Sequence, residues 1–352
     1  MNDVVDAFVH LLHDTENCLR NSPGHGRAKT LIEFLRDFRM KRVNPIHKRL
    51  ERMGSGRYVL SMVGLTNVGK STLAHALLEH PVAPRRNGPA TAIPVEYEHG
   101  DEWLMKTYSL ARCHVDELHF DSPQALAQAL ERRVFAASQD QAAKIERVLV
   151  LGPMDPIKGG LVFADTPGFG AAQPGDTHKN HQARLTKYVH DHVTEVLFCV
   201  SGANCAVKTE EVKFFAAIQE FCSTVVVTKW DGEPEARERE IQAYRSKYAD
   251  LFPRCRFMFI EAKWAIDGQT NGTPGKLEES GVNEIKAFIR EKATIEGRRS
   301  AIRQQLLLAW QDLLELAPLR ESGLAAVPWR MDGVLRIKAA AIRDGVQFIG
   351  LP

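Results

Sequence analysis

The stretch Gly64-Leu-Thr-Asn-Val-Gly69-Lys70-Ser71-Thr72 constrains this chain more than any other. It has the form G-x-x-x-x-G-K-S, and its flanks give the pattern meaning. A short apolar run, Tyr58 to Val63, enters it and reads as a buried strand. A helical pattern, Ser71 to Glu79, leaves it. In a strand–loop–helix of this kind, successive backbone N–H groups and the helix N-terminus surround phosphates. Lys70 then reaches the β- and γ-phosphates, and the Ser71 hydroxyl binds Mg²⁺. Gly64, Thr66, Asn67, Val68, Gly69, Lys70, Ser71 and Thr72 are the nucleotide-binding residues this loop predicts. The glycines permit backbone angles and a close approach that a Cβ blocks.

Three later stretches extend the pattern. Pro81 to Pro94 is rich in Pro and Gly and reads as a loop between the first helix and the next strand, Ile93 to Glu98. Nucleotide switches place a threonine there to sense Mg²⁺ and the γ-phosphate, which selects Thr91. An apolar strand, Gly160 to Ala164, runs into Asp165-Thr166-Pro167-Gly168. An aspartate ending such a strand sits at the ligand edge of a sheet, so Asp165 can hold the metal. The Gly168 amide can reach the γ-phosphate and register its loss. The strand Ser223 to Val227 then ends in Thr228-Lys229-Trp230-Asp231. There Asp231 can accept the N1 and N2 hydrogens of guanine, and adenine would leave that carboxylate unpaired. The stem of Lys229 can cover a base face. Glu261-Ala262-Lys263 closes a further strand, Arg256 to Ala262, and suits backbone contact from Ala262 and Lys263 to the guanine O6.

The rest is read more coarsely. Residues 1–53 form an N-terminal helical segment broken at Ser22 to Gly26, with a basic run from Arg36 to Arg52 that reads as a solvated helix face. Residues 54–296 hold the nucleotide domain, and 297–352 a C-terminal helical segment. Within 101–147 only a helix from Asp121 to Ala136 is legible. Val148 to Gly152 and Gly160 to Ala164 read as a pair of strands. Gly170 to Lys179 reads as a second switch, and Asp267 to Lys276 as a Gly-rich loop.

Composition excludes several classes. The chain is 44% hydrophobic and 26% charged with a net charge of +2, so global charge gives no case for nucleic acid. Six scattered cysteines without a C-x-x-C pair predict reduced thiols. The N-terminus lacks a signal-peptide pattern, and no run approaches the roughly 20 apolar residues that span a bilayer. The expectation is a cytoplasmic protein whose membrane contact, if any, is peripheral.

In this order the motifs resemble those of the Ras-like GTPase superfamily. Phe169 stands where small signalling GTPases carry a water-orienting glutamine, as in dynamin-like, septin and Era-like branches. The Thr-Lys-x-Asp form, the flanking helices and Pro84-Arg-Arg-Asn-Gly-Pro-Ala-Thr91 look like a dynamin-like protein. Asn67 looks like the Asn-Val-Gly-Lys-Ser loop of Era-like enzymes, some of which hold K⁺ on it, and Asp165 to Gly170 is close to septins. The resemblance implies an α/β P-loop GTPase domain with a mostly parallel central sheet, helices on both faces, and helical segments at both ends. It implies GTP, GDP and Mg²⁺ as ligands, with Ser71, Thr91 and Asp165 around the metal and Lys70, Thr91 and Gly168 in catalysis. It further implies self-association through the nucleotide face, with a membrane or a protein as the other open partner. K⁺ on Asn67, Arg85 or Arg86 in cis, or a second copy are the sources it leaves open for a missing catalytic charge. Two rival readings stay open: a nucleotide-gated binding module with slow hydrolysis, and an Era-like RNA- or ribosome-associated GTPase.

Overall fold

The structure is a computed structural model that describes residues 2–20, 25–54, 56–83, 93–110, 115–135, 144–170, 178–203, 206–230, 237–252 and 255–314. In chain order, three helices come first: α1 (Asn2–Arg20), α2 (His25–Phe38) and α3 (Asn44–Gly54). A single π-turn, Arg39–Val43, joins the last two. Then follow β1 (Tyr58–Gly64), α4 (Lys70–Leu78), β2 (Val95–His99), β3 (Trp103–Ser109), β4 (Val115–Phe120), α5 (Pro123–Phe135), β5 (Ile145–Gly152), β6 (Leu161–Asp165), α6 (His178–His192), β7 (Glu195–Ser201), α7 (Thr209–Ile218), β8 (Cys222–Thr228), α8 (Arg237–Tyr248) and β9 (Arg256–Ile260). Four helices close the described chain: α9 (Ala262–Asn271), α10 (Pro274–Glu279), α11 (Val282–Ala293) and α12 (Ile295–Leu314).

The chain divides into two compact units, Arg57–Thr294 and Met1–Gly56 with Ile295–Pro352. The larger unit is built on a nine-stranded sheet of order β4-β3-β5-β2-β6-β1-β7-β8-β9. From β6 to β9 all neighbours run parallel. Every residue of β1 is buried, as befits a central strand with both faces covered. β6 and β7 flank β1 on opposite sides, so the chain crosses over at its C-terminal end. Ligands of open α/β sheets bind at such a reversal. The remaining strands extend the sheet beyond β6, with β2 antiparallel to β6 and parallel to β5.

The smaller unit has its own core. Val5, Phe8, Leu12, Leu35, Phe38, Ile46 and Leu50 pack with Ile302 and Leu306 of α12. The helices at the two ends of the chain therefore share one apolar cluster. Their stripes at helical spacing are what hold them together.

Several local readings are corrected. β5 and β6 both form where expected, with β5 starting earlier at Ile145, and β2 lies between them in the sheet. Residues 101–147 contain two strands beyond the predicted helix. β4 escaped notice because most of its side chains are exposed and give no period-2 apolar signal. The segment Asp267 to Lys276 is largely helical, with Gly272 in the left-handed region (φ +63°) ending α9. The last strand stops at Ile260, and Ala262 already opens α9. Arg49 is not on a solvated face: it is buried and donates to Gln305 within the helical core. Arg36, by contrast, reaches from a half-exposed position to the buried Glu16, and Lys41 pairs with Asp37 on the surface.

Candidate functional site

The phosphate loop leaves β1 at Gly64, and its backbone explains its residues. A Cβ on Gly64 would stand 2.2 Å from the Cys199 carbonyl oxygen of β7, so only glycine fits there. Gly69 holds φ +102° and Asn67 φ +65°, both in the left-handed region that glycine and asparagine tolerate best. Gly69 is also the N-cap of α4, and no side chain caps that helix. Its first-turn N–H groups are thus left to an anion. Val68 is buried, and Ser71 and Thr72 are half-buried in the first turn.

Lys70 is buried, and its Nζ donates to the carbonyls of Gly64 (3.0 Å) and Leu65 (2.9 Å). Burial pulls its pKa down from the usual lysine value, against the raising effect of Asp165. Asp165 ends β6 with no exposure, and Ser71 Oγ donates to its Oδ2 at 2.7 Å. Burial pushes the Asp165 carboxyl up, and Lys70 and Ser71 only partly offset it. Its Oδ1 is buried with no hydrogen-bond partner among the described residues. A buried carboxylate oxygen beside a serine hydroxyl is the all-oxygen donor chemistry that suits Mg²⁺. Beneath it, burial drives the Cys199 thiol to about 12, so it stays a neutral packing group.

The second motif is zipped to the loop. Thr66 N–H donates to the Phe169 carbonyl (3.0 Å), and Phe169 N–H donates to the Gly64 carbonyl (3.3 Å). The Thr66 hydroxyl lies 3.2 Å from the Gly168 carbonyl and 3.3 Å from that of Phe169. A Cβ on Gly168 would sit 2.5 Å from Thr66 Cα, so this glycine is demanded by the loop it touches. Thr166 donates to the Met62 carbonyl at 2.6 Å, a clamp onto β1 that the sequence pattern did not single out. Phe169 does not face the site. It is 2% exposed and stacks on Phe214 of α7 at 4.3 Å.

The base motif is tied to the same loop. Thr228 donates to the Val68 carbonyl, with the Val200 carbonyl at 3.0 Å. Lys229, at φ +54°, donates from Nζ to the Asn67 carbonyl, so its stem runs along the loop. Trp230 N–H donates to Ile260 at 3.2 Å, fixing the motif to the end of β9. The Trp230 ring packs against Phe259 and Tyr244, contacts that single-residue pattern matching could not foresee. At the next strand end, the Glu261 carboxylate accepts the Lys263 N–H at 3.0 Å and caps α9. Ala262 is buried in the first turn.

The structure therefore brings Gly64, Thr66, Asn67, Val68, Gly69, Lys70, Ser71, Asp165, Gly168, Thr228 and Lys229 to one sheet edge. Thr91, Arg85, Arg86, Asp231 and most of the second switch (171–177) lie outside the described residues. Among the described residues no helix is long and apolar enough to cross a membrane, and no His/Cys/Asp/Glu cluster of metal-site size occurs. A phosphate loop holds its ion with a hydroxyl, one carboxylate and phosphate oxygens, so no such cluster is needed.

Comparison with known proteins agrees with this geometry. The sequence model of the Dynamin family matches residues 60–227, which run from β1 through β8 and span these motifs up to Val227. No curated protein matches the sequence. Among solved structures, an oligomerised bacterial dynamin pair is similar at 16% identity and a TM-score of 0.48, covering 98% of this chain and 61% of its own. The present chain thus spans about three fifths of that protein's length. Era in complex with MgGDPNP and a 16S ribosomal RNA segment is similar at 15% identity and a TM-score of 0.36, over 66% of this chain and 56% of its own. The stretch 60–227 is thus similar to the Dynamin family, and it lies in an α/β unit built on a mostly parallel sheet.

Proposed function

We propose that the chain hydrolyses GTP to GDP and phosphate, and that association through the nucleotide face raises the rate. The observation that supports this most is the buried pair Lys70 and Asp165, with half-buried Ser71 between loop and strand, beside a helix start that no side chain caps. Lys70 is already desolvated and held by two loop carbonyls. Its charge is placed to stabilise the negative charge that develops on a transferring phosphoryl group. Ser71, Asp165 and Thr91 are the residues that would hold Mg²⁺, which when bound neutralises charge on the β- and γ-phosphate oxygens. The bare Asp165 Oδ1 is the local reason to place it there. Thr228 and Lys229 brace the loop from the base side, so guanine recognition at Asp231 and phosphate binding lean on one piece of backbone.

The position after Gly168 offers no side chain to orient water, since Phe169 is in the core. Backbone groups then position the nucleophile. A further positive charge comes from Arg85 or Arg86, from K⁺ at Asn67, or from a second copy, and can be worth ~10³–10⁵ in rate. The same buried Phe169 favours a second reading, a nucleotide-gated binding module that hydrolyses slowly. Single-turnover hydrolysis with and without self-association separates the two. An Era-like RNA role is not favoured, because the family match over 60–227 is to dynamins. A peripheral membrane or protein partner follows from the dynamin-like reading. The decisive variant is Lys70→Ala, expected to lower turnover by at least ~10²–10³. Wild-type turnover in that variant would mean the site is misplaced.

A further inference from the structure

The sheet ends on one side in β4, whose only partner among the described residues is β3, in the register Trp103↔Phe120 to Tyr108↔Val115. The outer row of N–H and C=O groups of such a strand is a template for another strand. β4 carries neither proline nor lysine, the usual guards of an edge. Val115 (44%) and Leu118 (47%) are among the most exposed large apolar side chains of the described residues. We propose that β4 pairs antiparallel with β4 of a second copy of this chain, about a two-fold axis at Leu118.

Symmetry and charge select that register. A two-fold axis normal to a continuous sheet brings like faces together, so residues that oppose each other must be an even number of positions apart. Centring on Glu117 would set two carboxylates directly opposite each other, which is unfavourable, whereas both registers set Asp116 against an apolar residue. Centring on Leu118 sets Glu117 opposite His119 of the second copy, twice, and leucine against leucine. Arg133 of α5 bonds Thr107 and Asp116, so α5 covers the face that carries Asp116 and Leu118. Leu118 stays half-exposed on that face, where its symmetry mate would cover it. Glu117 and His119 share the other face with Lys106, which donates to one Glu117 oxygen at 2.7 Å, while His119 Nδ1 lies 3.5 Å from Glu102, so its Nε2 is the nitrogen that would meet the second Glu117 oxygen of the other copy. The paired stretch, Asp116 to Phe120, is short, so the contact is below the ~1,000 Å² of a stable interface and the dimer is reversible. The pairing involves no nucleotide group and stands apart from the GTPase reading.

Covalent capture tests it in the full chain without nucleotide, in a Cys113→Ser background. Directly opposed antiparallel residues have Cα atoms about 4.5–5.5 Å apart. Leu118→Cys then places the two cysteine Cα atoms within the roughly 4.4–6.8 Å separation that a disulfide spans. Glu117→Cys puts the two cysteine Cα atoms on a diagonal about 7–8 Å apart, beyond the ~7 Å limit. Under mild oxidation Leu118→Cys should form covalent dimer at least tenfold faster than Glu117→Cys. Adding His119→Glu to Leu118→Cys should slow capture at least fivefold, and a further Glu117→Lys should restore it. Melting curves like the parent's confirm that each variant is folded, as expected for exposed positions. Equal capture rates for the two cysteine variants, or indifference to His119→Glu, would overturn the proposal.

Discussion

Phe169→Gln tests how this site differs from GTPases that carry a glutamine after the Asp-x-x-Gly motif. Phe169 is 2% exposed, stacks on Phe214 at 4.3 Å and lies 6.3 Å from Phe198. Truncating a buried phenylalanine costs about 3–5 kcal/mol. Glutamine refills part of that volume, but it buries an amide among aromatic rings, which costs about 1–3 kcal/mol if unpaired. The net loss is about 4 kcal/mol. For a domain of this size each kcal/mol moves Tm by roughly 2–4 °C, so Tm should fall by about 8–16 °C. Phe169→Leu, a milder apolar swap, should cost below about 1.5 kcal/mol. Thermal melts in saturating GDP, read beside single-turnover GTP hydrolysis, measure both effects. The expected result is a large loss of stability with no gain in rate. An unchanged Tm with faster hydrolysis would place this side chain in the site and refute the reasoning.

Three further outcomes follow from the geometry. Gly168→Ala must push the motif back by about 1 Å, since its Cβ would start 2.5 Å from Thr66 Cα and carbon contacts settle near ~3.5–4.0 Å. A misplacement of that size costs ~10² in rate, so kcat should drop about 100-fold while circular dichroism is unchanged; a wild-type kcat would contradict it. His192 on α6 has its pKa lowered, first by burial and then by Arg147, despite Glu146 at 3.3 Å. A depressed histidine gives stability that is full above its unfolded pKa of about 6.5 and is lost as pH falls through the folded value. His192→Gln should flatten the acid side of the Tm-against-pH curve, and parallel curves would clear His192 of that role. If K⁺ binds at Asn67, turnover rises in K⁺ over Na⁺, and equal rates remove the idea.

What the sequence made legible is what depends on local backbone chemistry. Gly69 and Lys70 announce the loop because a left-handed angle and an uncapped helix start admit few residues. Asp165 and Thr228 were found because each ends a fully buried run at one edge of the sheet. Contacts between distant segments were not legible. Nothing in Thr166 says that its hydroxyl clamps β1, and nothing in Gly168 says that Thr66 crowds it. β4 was missed for a related reason: an edge strand with exposed side chains has no apolar rhythm to read. Arg49 departs in the opposite sense: a basic residue in a charged run predicts a solvent-facing side chain, while Gln305 holds it inside.

The proposed function requires that the loop amides and Lys70 hold a triphosphate and that Asp231 select the base. Equilibrium titration of the purified chain with GTP and with ATP in Mg²⁺ measures this most directly. Saturable GTP binding with much weaker ATP binding, and loss of that preference in Asp231→Asn, is the predicted result. ATP bound as tightly as GTP, or neither nucleotide bound, would contradict it.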